Sequence, residues 1–382
     1  MERLNIGFLF PRLNSASQLF LRQYLSLLQP VSREIFIVAS DAVYRYGDWQ
    51  PDFAPKVIQE QQPFLLRVVM TLLIEFRTSL NLLKILSKVD VLFLNFSMGN
   101  LLLPQLIAKV SRRKLVLITG GTTSECVRFG YDENGLGFGR GLFTMMARMI
   151  EWLNYTLADR IVVFTEREID NKPGLKAKRG KVLVCGARYV DDSVFRVERS
   201  LVQREDVVGF IGRFALEKGL RNLVQAIPLV LSQRPGVKFR LLGDGPLLSE
   251  IERETRNNGL SSSVEIYRWV AHEQVTDYLN DFKLLVIPSF TEGLPNTMLE
   301  AMACGTPVLA TTVGAVPDII EDGKTGFMMK SNEPGNIAEN IVRVLAHPDL
   351  SKVADEGRRL IEGEYTYGAA LHRYKKIMES IR

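Results

Sequence analysis

The sequence predicts an α/β protein made of two doubly wound sheets. Three observations carry this. Short apolar runs of strand length alternate with segments of helical pattern along the whole chain. The runs fall into two sets of six, on either side of a polar stretch at 197–206 (VERSLVQRED) that serves as the linker candidate. Finally, 382 residues with 46% hydrophobic content suit two buried cores better than one.

In the first set, LNIGFLF, EIFIVAS, VDVLFLNF, KLVLIT, DRIVVFT and KVLVCG read as strands. In the second, VVGFIG, VKFRLLG, VEIYRW, KLLVIPS, PVLATT and TGFMMK do. A helix fits between each pair, and right-handed crossovers then wind each set into a sheet covered on both faces. The run before Pro11 is too short for a secretory signal and suits a first strand. The tail EYTYGAALHRYKKIMESIR has the pattern of an amphipathic helix.

The three cysteines, Cys126, Cys185 and Cys304, are scattered and odd in number, so a disulfide framework or a C-x-x-C metal pair is not expected. A reducing, cytoplasmic setting follows. Residues 1–205 carry 28 Lys+Arg against 20 Asp+Glu, net +8, and residues 206–382 carry 20 against 23, net −3, which together give the chain's +5. That asymmetry directs attention to a polyanionic partner for the first half. Nucleic acid is the weaker choice, because no aromatic-studded basic strand, zinc spacing or helix-turn-helix signal accompanies the charge.

Three loops at strand ends carry candidate chemistry. After KLLVIPS come Glu292, Gly293, Leu294, Pro295, Asn296 and Thr297, with Glu300 one turn into the next helix. Ligands bind at the carboxyl ends of parallel strands, and the free N–H groups of a helix start favour an anionic group. Two glutamates at that edge therefore suggest a sugar nucleotide site. After VVGFI, Gly212 leads into Arg213 and Lys218, two cations that can hold a diphosphate without a metal. The alternative for them is an exposed loop of solvated charges. After VKFRLL, Gly243, Asp244 and Gly245 form a tight loop through which a ligand can approach the backbone, or an ordinary Asp-Gly turn.

Taken together, these loops resemble those of the retaining glycosyltransferases of the "glycosyl transferases group 1" family, which have the GT-B fold of two Rossmann-like domains facing a cleft. The marks are G-R-F-x-x-E-K-G at 212–219, the G-D-G-P loop, the E-x7-E pair Glu292 and Glu300, and C-G-T-P-V from Cys304. The resemblance is close over residues 206–330 and topological before that.

It implies an acceptor-binding domain of residues 1–198 plus 366–382, closed by the returning C-terminal helix, and a nucleotide-sugar domain of residues 199–365. It also implies roles. Arg213 and Lys218 would bind the donor diphosphate and stabilise it as it leaves; Glu292 would engage the sugar hydroxyls; Glu300 would accept from the ribose. N–H groups near Leu294, Asn296 and Thr297 would hold phosphate, while Pro295 has none to give. The segment to Val270 would line the base, with Trp269 either stacked on it or structural. No cofactor is implied, and no Asp-x-Asp metal pair occurs.

The implied activity moves a sugar from a UDP- or GDP-sugar to a hydroxyl acceptor, lipid-linked or a cell-surface glycan precursor. A sugar-nucleotide 2-epimerase and a non-catalytic sugar-nucleotide binder remain as alternatives. The chain departs from the family in its first half. All three histidines, His272, His347 and His372, lie in the second half, so the position after KLVLIT, where many relatives place one, holds Gly120 and Gly121. The first loop offers Asn14 and Ser15 in place of paired glycines. These four are the acceptor-side candidates. The glycine-rich stretch 135–141 follows no strand and misses the dinucleotide spacing, leaving a loop.

Residues 64–88 (FLLRVVMTLLIEFRTSLNLLKILSK) predict a basic amphipathic helix. Leu65, Val69, Leu72, Phe76, Leu80 and Leu83 share one face, Arg77, Lys84 and Lys88 cluster apart from it, and Met70, Ile74, Leu82 and Ile85 lie off the main face. Its uncharged runs are too short to span a bilayer. It reads either as a helix docking on an anionic membrane surface, at the inner face of the cell membrane, or as one packed in the first core. A second basic cluster at 172–181 either adds to that surface or forms a solvated loop.

Overall fold

The structure is a computed structural model that describes residues 3–10, 15–48, 64–95, 101–119, 140–184, 188–268 and 270–381. The described residues divide into two compact units: Arg188–Ala369, and those before it together with Ala370–Arg382. The first unit contains strands β1 (Leu4–Leu9), β2 (Ser32–Val38), β3 (Val43–Arg45), β4 (Val91–Asn95), β5 (Lys114–Ile118), β6 (Arg160–Val163) and β7 (Val182–Val184). Its helices are α1 (Ser15–Leu28), α2 (Phe64–Ile85), α3 (Leu102–Val110), α4 (Arg140–Leu157), α5 (Glu166–Asn171) and α6 (Pro173–Lys176).

Its sheet runs β3-β2-β1-β4-β5-β6-β7, parallel except for the β2–β3 pair. The step from β1 to β2 and the steps from β4 to β6 go in opposite directions, so right-handed crossovers put α1 on one face and α2, α3 and α4 on the other. Leu82 and Ile85 of α2, Ala108 of α3 and Tyr155 of α4 accordingly share one core cluster with sheet residues such as Leu92, Leu94, Leu115 and Leu117. All six predicted strands form. β3 was not foreseen, because three residues at an antiparallel edge need neither an apolar run nor a crossover.

The second unit contains β8 (Val207–Ile211), β9 (Lys238–Leu242), β10 (Val264–Tyr267), β11 (Leu284–Ile287), β12 (Val308–Thr311) and β13 (Phe327–Met329). Around them lie α7 (Leu220–Gln233), α8 (Leu248–Asn257), α9 (Val275–Asp281), α10 (Asn296–Ala303), α11 (Val316–Ile319), α12 (Pro334–Leu345) and α13 (Leu350–Glu364). The sheet runs β10-β9-β8-β11-β12-β13 and is parallel throughout. Burial on both faces explains why β11 is a continuous apolar run and why β12, apolar up to Thr311, has every residue buried. The last helix, α14 (Tyr367–Ile381), rejoins the first unit from Ala370, where Tyr374 packs edge-on against Tyr24 of α1 at 5.7 Å.

Space corrects one reading of the sequence and resolves the facing of another element. The polar stretch 197–206 is no free linker: it lies inside the second unit, and Arg204 is 4% exposed. Its guanidinium donates to the carbonyls of Arg199, Leu279, Phe282 and Cys304 and to Thr306 Oγ1 at 2.7–3.1 Å. A five-donor fork satisfied by fixed acceptors is one of the few ways to bury a charge, and burial pulls its pKa down to about 10. In α2, Val69, Leu72, Phe76, Leu80 and Leu83 point outward, while Thr78, Ser79, Asn81, Leu82 and Ile85 are buried. The side chain of Leu65 lies outside the described residues.

Candidate active site

The second sheet changes winding direction between β8 and β11, and the loops leaving these strands part there, which opens a crevice at their carboxyl ends. On the β8 side, Gly212 N–H donates to Leu242 O (3.0 Å) and Phe214 N–H to Asp244 O (2.9 Å), which ties this loop to the one after β9. Gly243 sits at φ +151°, and a Cβ there would come within 1.9 Å of Gly212 O. Only glycine lets the two backbones approach so closely. Asp244 is exposed, and its Oδ1 accepts from Gly245 N–H at 2.7 Å.

Arg213 and Lys218 both lie on the β8 loop, and each already meets a carboxylate. Arg213, exposed, pairs with Glu217. Lys218 closes a short 3₁₀ turn and crosses the switch point to place Nζ 2.8 Å from Glu292 Oε1. Ser289 Oγ donates to the same Oε1 at 2.7 Å, and Phe290 N–H donates to Glu217 O at 2.9 Å. Between these loops, Gly219 takes φ +65°, where a Cβ would lie 1.9 Å from Pro288 O.

Gly293 and Leu294 lead to α10, with Gly293 O accepting from Ala315 N–H at 2.8 Å. Pro295 is the N-cap at φ −66°, and no side chain caps α10, so the N–H groups of its first turn, Asn296 and Thr297 among them, have no side-chain acceptor there. Glu300 is buried in α10, its side chain 6% exposed, with Oε1 3.0 Å from His272 Nε2. His272 opens the turn after β10, beyond Val270, and its ring lies 5.1 Å from that of Phe195. Burial lowers the His272 pKa, but the hydrogen bond and charge of Glu300, with the charges of Glu273 and Asp191, outweigh it and leave the value raised.

The structure thus brings Lys218 and Glu292 into contact and sets Glu300 in a separate pair with His272. His272, Ser289 and Glu217 were not singled out from the sequence. The available signal for His272 was its place in the loop that leaves β10 at the same sheet edge. Asn14, Gly120, Gly121 and Trp269 lie outside the described residues, and Ser15 begins α1 with its side chain likewise outside them. Among the described residues no group of three or more His, Cys, Asp or Glu could hold a metal ion.

Comparison with known proteins bears on the same unit. Residues 205–347 match the family model described as "Glycosyl transferases group 1". Similar proteins include an uncharacterized glycosyltransferase of Methanocaldococcus jannaschii, 29% identical over 45% of this chain and 47% of that protein. Another is the D-inositol 3-phosphate glycosyltransferase of Streptomyces avermitilis, 30% identical over 51% of this chain and 46% of that protein. The chain thus spans about half the length of the curated relatives it matches. Among solved structures, sucrose-phosphate synthase from Thermosynechococcus elongatus aligns with a TM-score of 0.76 at 17% identity over 99% of each chain. Anabaena HepE, solved with UDP and glucose, aligns at 0.69 and 15% identity over 99% of this chain and 100% of that one. These two likenesses show the fold.

Proposed function

We infer that this chain, whose C-terminal unit is a glycosyl transferases group 1 domain and whose fold is GT-B, transfers a sugar from a nucleoside diphosphate donor to a hydroxyl acceptor with retention at the anomeric carbon. The observation that carries this is the Lys218–Glu292 contact across the β8/β11 switch point, beside the uncapped start of α10.

A diphosphate entering there takes over Lys218 and Arg213 from their carboxylates. Glu292, released, accepts from the sugar hydroxyls. The bond from the anomeric carbon to the diphosphate oxygen breaks as the acceptor oxygen bonds to the same face of that carbon, and the acceptor's proton leaves with the diphosphate. Negative charge gathers on the departing oxygens, where two cations at the edge of a partly enclosed loop stabilise it. In this reading they do so without a metal. Glu300 binds the ribose, and His272, held 3.0 Å away, sets the direction of its carboxylate. The donor is a UDP- or GDP-sugar; the acceptor is lipid-linked, a precursor of a polysaccharide or glycolipid, taken by the first unit at the cytoplasmic, anionic face of a membrane.

The test is a thermal-shift panel of UDP-, GDP- and ADP-sugars, followed by donor turnover in Lys218→Ala and Glu292→Ala. One sugar nucleotide is expected to stabilise the protein, and each variant to lower turnover by about 10²-fold or more, as removal of a single charge-stabilising group does elsewhere. Unchanged turnover in both folded variants ends the mechanism.

A further inference from the structure

Helices α2, α3 and α4 cover one face of the first sheet as neighbours, and each exposes an apolar stripe. On α2, Val69, Leu72, Leu73, Phe76, Leu80 and Leu83 are 45–62% exposed; at 100° per residue they occupy an arc of about 100°, with Arg77 and Lys84 just beyond its edge. On α3, Leu103, Leu106 and Val110 are exposed, and on α4 Met145, Met149 and Trp152 are. Apolar side chains scattered singly are ordinary on a monomer, but parallel stripes on three adjoining helices are not.

Charge identifies the occupant. Among the described side chains of these helices, the only acids are Glu75, half-buried at the α2–α3 seam, and Glu151, which is buried. Glu75 accepts from Leu102 N–H (2.9 Å) at the start of α3, and Glu151 is 7% exposed. Arg77, Lys84 and Arg148 are exposed around the stripes, Lys109 is exposed too but paired with Asp159 just past α4 at 2.6 Å, and Lys178 Nζ sits 5.6 Å above the Trp152 ring. A two-fold contact with a second copy would set this basic rim against itself. An anionic bilayer complements it, and Trp152, half-exposed beside a cation, has the mixed character of an interfacial anchor. No helix among the described residues is long and apolar enough to cross a membrane.

We propose that α2, α3 and α4 form one docking panel that seats the first unit on an anionic lipid surface, with the stripes entering the headgroup and acyl boundary and the rim on the phosphates. This deepens the reading of a lipid-linked acceptor, but binding to vesicles needs no sugar nucleotide and is measured separately from turnover.

The full chain is floated with phosphatidylcholine vesicles containing about 30% phosphatidylserine, an anionic surface that attracts basic segments, and with pure phosphatidylcholine. Trp152 emission is followed with Trp152→Phe as control. Wild type is expected to float with the anionic vesicles and shift its emission to the blue. Leu72→Gln/Phe76→Gln/Leu83→Gln abolishes flotation. Arg77→Ser/Arg148→Ser weakens it by about tenfold or more, each lost charge near such a surface being worth roughly fivefold in partition. Wild type that does not float, or a triple variant that floats undiminished, overturns the proposal. A concentration-dependent dimer lost in the triple variant, with no vesicle binding, assigns the panel to a second copy and overturns it too. Wild type that turns over donor in detergent but does not float removes the docking claim alone, while flotation without turnover by any sugar nucleotide removes the transferase reading alone.

Discussion

Replacing Gly219 by alanine tests whether the close approach of the β8 and β11 loops sets the geometry of the site. Gly219 adopts φ +65°, and the new Cβ would stand 1.9 Å from the backbone oxygen of Pro288. An ordinary carbon–oxygen contact is about 3.3 Å, so the loops must part by roughly 1.4 Å. Lys218 precedes Gly219 and Glu292 follows Pro288 by four residues, so their 2.8 Å contact lengthens by a similar amount and is lost as an ion pair. The left-handed backbone conformation costs a non-glycine residue about 1–2 kcal/mol, and relieving the overlap brings the destabilisation to about 3 kcal/mol. For a unit of this size that lowers Tm by about 6–12 °C. A misplacement of about 1 Å in catalytic geometry costs about 10²-fold, and that loss is expected in kcat/KM for the donor. Gly236→Ala, whose Cβ meets nothing within 4 Å, is the control. Calorimetry and steady-state donor consumption give both readouts. A Gly219→Ala protein with wild-type Tm and kcat/KM within threefold would refute the reasoning; a lowered Tm with unchanged kcat/KM would confine the contact to stability.

Arg204→Met takes the buried donor from the carbonyls of Arg199, Phe282 and Cys304, while Leu279 O and the Thr306 hydroxyl keep their bond to each other; at about 1–3 kcal/mol for each of the three unsatisfied groups, the loss should reach about 3 kcal/mol or more, and an unshifted urea midpoint would contradict it. Folding raises the His272 pKa from its ordinary 6.5, so the folded state holds that proton more tightly than the unfolded chain does. The stabilisation is full below pH 6.5 and is lost as pH rises through the raised value. Urea midpoints across that window should fall in wild type and stay flatter in His272→Gln, and parallel curves would show that the pair contributes nothing. Burial raises the Cys304 thiol to about 11. With Cys126 and Cys185 replaced by serine, the native protein should therefore resist a disulfide reagent at pH 8 that titrates it fully once unfolded; rapid native labelling would mean that the cysteine is reached by solvent.

The strand alternation was legible because strands buried on both faces read as near-continuous apolar runs, as β11 does and β12 does up to Thr311, and nothing local competes with that signal. The loops after β8, β9 and β11 were legible because glycine and charge at strand ends leave a local pattern. His272 was passed over because its partner Glu300 is 28 residues away and meets it only through the packing of α10 beside the turn after β10. The segment 197–206 misled because polar composition does not say which way a charge points; Arg204 points inward, toward acceptors contributed by residues 75–102 positions later in the chain.

The amphipathic character of α2 belongs to the amino-acid order, since helical spacing puts Val69, Leu72, Phe76, Leu80 and Leu83 on one side wherever the helix lies. So do the candidates Arg213, Lys218, Glu292 and Glu300 at strand ends and the existence of two sheets. Orientation was decided elsewhere. Leu82 and Ile85 fit the cluster over β4 and β5, so the richer apolar side of α2 faces out, and winding in opposite directions from β8 and β11 brought Lys218 within 2.8 Å of Glu292, 74 residues away. Local spacing specifies what an element can offer, but which side it buries and what it meets depends on the neighbours that compete for the same surface.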